Sequence, residues 1–89
     1  MDERIQKIME EKIRESSGRR NEITSLVRSL GQAKNPNVFG HGIIIGRLYN
    51  SFYYQSRRIL KRNPTEQEFS EFIQLLKKHE NELLEISFS

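Results

Sequence analysis

Cysteine is absent from the 89 residues, which excludes a disulfide framework, a thiolate zinc site and a cysteine nucleophile. Long apolar runs are absent too. The Ile43-Ile44-Ile45 triplet is as long as they get, far short of the ~20 residues a membrane-spanning helix needs. The opening MDERIQKIMEE is charged where a secretion signal would be apolar, so the chain reads as cytoplasmic with no membrane partner. Proline occurs only at Pro36 and Pro64, and no Asp or Glu lies between residues 36 and 64.

What is present suffices for one small domain over residues 1–89. Ile, Leu, Val and Phe make up 25 of the 89 residues, above the fraction at which a charged chain stays disordered. The mean hydropathy is nevertheless −0.73, so a lone copy builds a thin core worth about 3 to 5 kcal/mol. A partner or a second copy is expected to help.

Every apolar pattern has helical period. Ile5, Ile8, Met9 and Ile13 mark a first helix over residues 2–16. Ile23, Leu26, Val27 and Leu30 mark a second, with Gly31 as its stop. Ser16-Ser17-Gly18 separates them. The 18-residue step from Ile5 to Ile23 is five whole turns at 100° per residue, so one bent helix is as consistent with the pattern as two. Residues 31–42 hold three Gly, one Pro and two Asn, which predicts the main loop. A third helix is expected from Ile43 to about Arg62, ended by Asn63-Pro64. Thr65 and Glu68 have the spacing of a capping box for a fourth, running to about Ile86 with a frayed tail on the stripe Phe69, Phe72, Ile73, Leu76 and Leu83. The fold class is therefore all-α: a small bundle of three or four helices, the last two an antiparallel hairpin, with Phe52, Phe69 and Phe72 as anchors. The stripes of helices 1 and 2, narrow and in phase, are the expected surface of a homodimer.

Charge is strongly segregated. Cut at these boundaries, residues 1–16 carry −1, 17–35 carry +3, 36–64 carry +5 and 65–89 carry −4. On a wheel of helix 3, Ile44, Ile45, Leu48, Tyr49, Phe52, Ile59 and Leu60 share the buried half with Gln55 and Ser56. The other half carries Arg47, Asn50, Tyr54, Arg57, Arg58 and Lys61. Arg binds phosphate bidentately, Tyr stacks on bases and Asn reads a base edge, so this face is the candidate DNA or RNA contact. The competing explanation for the cations is that they offset the dipole at the end of helix 3 and pair with acidic helix 4. Arg19 and Arg20 extend the basic surface or form a solvated turn. Tyr49 and Tyr53 fall at the boundary of the apolar arc, as half-buried rings with wet hydroxyls.

No catalytic constellation stands out. His41 and His79 have no second ligand at metal spacing, so no metal is expected, nor any cofactor. Gly40-His41-Gly42 lacks the Lys and Ser/Thr of a phosphate-binding loop and reads as a turn. Gly42-Ile43-Ile44-Ile45-Gly46 matches a small-xxx-small pattern, read as close backbone approach inside the bundle. Two functions follow as expectations: a nucleic-acid-binding or regulatory module, or a non-enzymatic protein-interaction module.

Overall fold

The computed structural model describes residues 1–30 and 34–88, and every regular element among them is helical. Helix α1 spans Glu3–Glu15. Its N-cap is Asp2, whose carboxylate accepts from the amides of Arg4 and Ile5. Ser16–Arg19 tightens into a 3₁₀ turn and α2 follows directly over Arg20–Leu30. The Ser-Ser-Gly segment thus keeps the chain helical while changing its pitch, and the Ser16 hydroxyl, itself buried, bonds back to the Lys12 carbonyl at 3.1 Å. Ile5, Met9, Ile13, Ile23 and Val27 form one buried stripe, so the in-phase surface expected to hold a second copy is used up inside the chain. Leu26 and Leu30, expected on that stripe, are exposed. The stop at Gly31 lies outside the described residues.

The expected loop over residues 31–42 is replaced, from Pro36 on, by helix. Helix α3 spans Pro36–Leu60, 25 residues or about 37 Å, matching the 38 Å long axis of the molecule. Its early start has a local cause: the Asn35 side chain accepts the Val38 amide at 3.1 Å, and Pro36 occupies the first turn, where a missing N–H costs nothing. It also has a distant one, because Gly40 lies beneath the ring of Phe88, so close that a Cβ would overlap it. Gly42 and Gly46, expected inside the bundle, are exposed, with nothing within 4 Å of where a Cβ would stand.

Helix α3 ends at Leu60 because Lys61 adopts φ 60°, a left-handed cap. After Asn63-Pro64 the capping box forms as its spacing requires: Thr65 Oγ1 accepts the Glu68 amide at 3.1 Å, and the Glu68 carboxylate accepts the Thr65 amide at 2.8 Å. Helix α4 spans Glu66–Lys78 and returns along α3, stacking Phe72 on Phe52 with ring centroids 4.5 Å apart. Phe69 is only half-buried, against the expectation for an anchor.

Instead of one helix to Ile86, the chain breaks at His79, and a single turn, α5, covers Glu80–Leu84. The break steers Leu83, Ile86 and Phe88 onto the core. Far from fraying, the tail is held at three successive residues. His41 Nε2 donates to the Ile86 carbonyl at 2.7 Å, Arg20 Nε donates to the Ser87 carbonyl at 2.6 Å, and the Phe88 amide donates to Asn37 Oδ1 at 2.7 Å. Phe88 is 1% exposed and is the bulky anchor the hairpin stripe did not reveal.

Candidate nucleic-acid interface

The last four turns of α3 set the candidate residues in a row. Relative to Tyr54, Arg47 and Asn50 stand seven and four residues before it, Arg57 and Arg58 three and four after it. These are the offsets that share one helical face. Opposite them Leu48, Phe52, Gln55 and Ser56 are buried, which fixes the rotation of the helix and turns this stripe outward. Tyr54 is 55% exposed. Asn50, Arg57, Arg58 and Lys61 are exposed and Arg47 is half-buried. Lys61 follows the helix rather than belonging to it, so its left-handed backbone, not the wheel, sets where its side chain leaves the chain.

The hydrogen bonds show how far the basic charge pairs with α4. Arg62 bonds Glu68 with both terminal nitrogens, at 2.7 and 3.2 Å. That contact, with the Thr65 amide second, holds the Glu68 carboxyl well below its ordinary 4.5, at about 2, and raises Arg62 in turn. The pairing with α4 stops there. Among the described residues no carboxylate lies within 4 Å of Arg47, Arg57, Arg58 or Lys61. Arg58 Nε donates to Gln55 Oε1 at 2.9 Å, and Arg57 reaches Asn63 Oδ1 at 3.5 Å. Both contacts orient a guanidinium and leave its charge uncompensated. Arg19 pairs with Glu22 at 3.3 Å and Arg20 is engaged with the tail, so neither joins the stripe.

Beside the stripe, Tyr49 and Ile45 are more exposed than the wheel implied, at 46% and 38%. Tyr53 is half-buried, as its position implied. The Tyr49 and Tyr53 rings lie 5.1 Å apart, and Tyr49 meets the edge of Phe69 at 6.2 Å. A hydrogen bond with Tyr49 raises the Tyr53 phenol above its ordinary value. These rings, with Pro64 and Glu66, line a cleft of about 300 Å³. Its only sequence signal is the i, i+4 spacing of the two tyrosines. The tail anchors Arg20, Asn37 and His41 had none, because their partners lie 45 to 67 residues away.

Gly40-His41-Gly42 sits within α3, where its amides serve the helix rather than an anion. Among the described residues no three His, Asp or Glu side chains converge on a point where a metal ion could bind, and no helix is long and apolar enough to cross a membrane. Comparison with protein-family models, curated proteins and solved structures gives no match.

Proposed function

We propose that the chain is a non-catalytic nucleic-acid-binding module whose contact is the α3 stripe Arg47, Asn50, Tyr54, Arg57, Arg58 and Lys61. One observation carries this reading: three arginines without a carboxylate partner among the described residues flank an exposed tyrosine on one face, and Lys61, also unpaired, follows at its end. Uncompensated Arg and Lys side chains release counterions when they meet phosphate, and a free aromatic face stacks on an unpaired base. A single-stranded stretch of DNA or RNA uses both. The proposal gives the stripe no catalytic role; Arg47 and Tyr54 line neither the aromatic cleft nor the apolar groove formed by α3, α4 and α5.

Fluorescence anisotropy with labelled single-stranded and duplex oligonucleotides at 50 and 200 mM salt tests it. Affinity falls steeply with salt, and Arg58→Gln or Lys61→Gln each flattens the slope by about one contact, roughly 0.7 on single strands and 0.9 on duplex. Charge variants that lower the melting temperature and leave binding untouched overturn it.

The second reading, a protein-interaction module, is favoured by the apolar side chains exposed along the seam between α3 and α4.

A further inference from the structure

A bundle of this size leaves little apolar surface to spare, yet one face of this chain is uncovered. Along α3, Val38, Gly42, Ile45, Gly46 and Tyr49 recur at offsets of three and four and all are exposed. They span about 17 Å of helix. Ile73 of α4 and Leu84 of α5 continue the surface, at 37% and 57% exposure. Between them Ile45, Ile73, Leu76 and Leu83 floor an open groove of about 210 Å³, with Lys77 and Glu80 on its rim.

We infer that this groove is the surface through which two copies of the chain associate about a two-fold axis. Three observations select a second copy as the occupant. The rim is self-complementary: Lys77 and Glu80 stand three residues apart, and neither forms an ion pair within the described chain. A two-fold contact is isologous, so it sets Lys77 against Glu80 of the partner subunit and repeats the pair on the other side. The shape is complementary in the same sense. Leu84 stands out at the lip as a knob, and the groove beside it is the hole for its symmetry mate. Gly42 and Gly46 offer bare backbone, with nothing within 4 Å of either missing Cβ, so a crossing helix approaches closely there.

The third observation is the apolar surface left open: Ile45, Ile73 and Leu84 around the groove are 38%, 37% and 57% exposed. The competing apolar pair, Leu26 and Leu30 on α2, serves as the control surface. Tyr54 lies about 80° around α3 from Gly46, whereas Asn50, four residues beyond Gly46, shares its face, so the basic stripe borders the contact and the assembly carries two copies of it.

Sedimentation equilibrium of the full chain, without nucleic acid, tests this independently of the proposed binding function. At tens of micromolar the wild type is expected at twice 10.6 kDa. Ile45→Glu and Lys77→Glu each weaken association at least tenfold. Lys77→Glu combined with Glu80→Lys restores it to within threefold, because the exchanged charges still meet across the axis. Leu26→Glu with Leu30→Glu leaves it unchanged. Circular dichroism melts confirm that each variant folds, and the Lys77 and Glu80 pair, being exposed, serves if Ile45→Glu does not. A wild type that sediments as a monomer overturns the inference, as does loss of the dimer in the Leu26, Leu30 variant but not in Ile45→Glu.

Discussion

Phe88 closes over Gly40 at the start of α3 with its ring where a Cβ of residue 40 would stand. Two features that each look unfavourable, a glycine in a helix and an aromatic near the end of the chain, are thus one packing solution. Gly40→Ala is expected to destabilise by about 1 to 3 kcal/mol, because overpacking outweighs the gain in helix propensity. Gly42→Ala, two residues on and facing open space, is expected to stabilise by about 0.5 to 1 kcal/mol. Urea melts at low micromolar concentration give the two signs, and equal effects would contradict the packing.

Phe88→Ala leaves a cavity and removes the residue over which the tail is folded, a loss of about 3 to 5 kcal/mol. Because Gly40 and Phe88 touch, the pair Gly40→Ala with Phe88→Ala costs less than the sum of the single changes. Hydrogen exchange supplies the local readout: the amide of Phe88, donated to Asn37, is protected in the wild type and exchanges slowly only while the tail is docked.

The link between α3 and α4 makes stability depend on acid. Glu68 is held at about 2, against an ordinary 4.5, so below that ordinary value the unfolded chain takes up this proton more readily than the folded one. The contribution is therefore complete above about pH 4.5 and is lost as pH falls towards 2. Solvent reaches the Arg62 side of the pair, which limits it to about 1 kcal/mol. Thermal melts of the wild type and Glu68→Gln are expected to differ at pH 6 and to converge near pH 2. A gap that stays constant would remove the ion pair as its cause.

Thr65→Ala tests the neutral half of the same link. It deletes the acceptor of the Glu68 amide and is expected to cost about 1 kcal/mol, with a pH profile displaced downward and unchanged in shape apart from any loss of Glu68 positioning. Chemical denaturation across pH 2 to 7 reads both.

Tyr54→Ala separates stacking from charge. Its ring is exposed and makes no core contact, so stability is expected to stay within about 0.5 kcal/mol of the wild type. If the ring stacks on an unpaired base, affinity for a single-stranded oligonucleotide falls by about 1 to 3 kcal/mol with the salt slope retained. Anisotropy titrations at two salt concentrations measure both quantities.

Local interactions were legible in the sequence. The 3.6-residue spacing of Ile5, Met9, Ile13, Ile23 and Val27, the Asn63-Pro64 break and the Thr65, Glu68 box each depend on residues a few positions apart. So does the rotation of α3 that turns Tyr54, Arg57 and Arg58 away from Phe52. Those features alone determined an all-α chain with a basic stripe on its longest helix. Tertiary structure decided the rest. Gly40 and Gly42 lower helix propensity wherever they occur, and only the Phe88 ring, 48 residues beyond Gly40, gives the first of them a reason to be helical. The turn at His79 has little local signal beyond Glu80, which interrupts the apolar stripe without ending it; it forms because Leu83, Ile86 and Phe88 are buried when bent back onto the core. The fate of the charges was beyond any wheel. Arg62 and Arg58 stand four residues apart on similar sequence, yet among the described residues Arg62 finds a carboxylate and Arg58 does not, because an ion pair is settled by where the next helix lies and not by local periodicity.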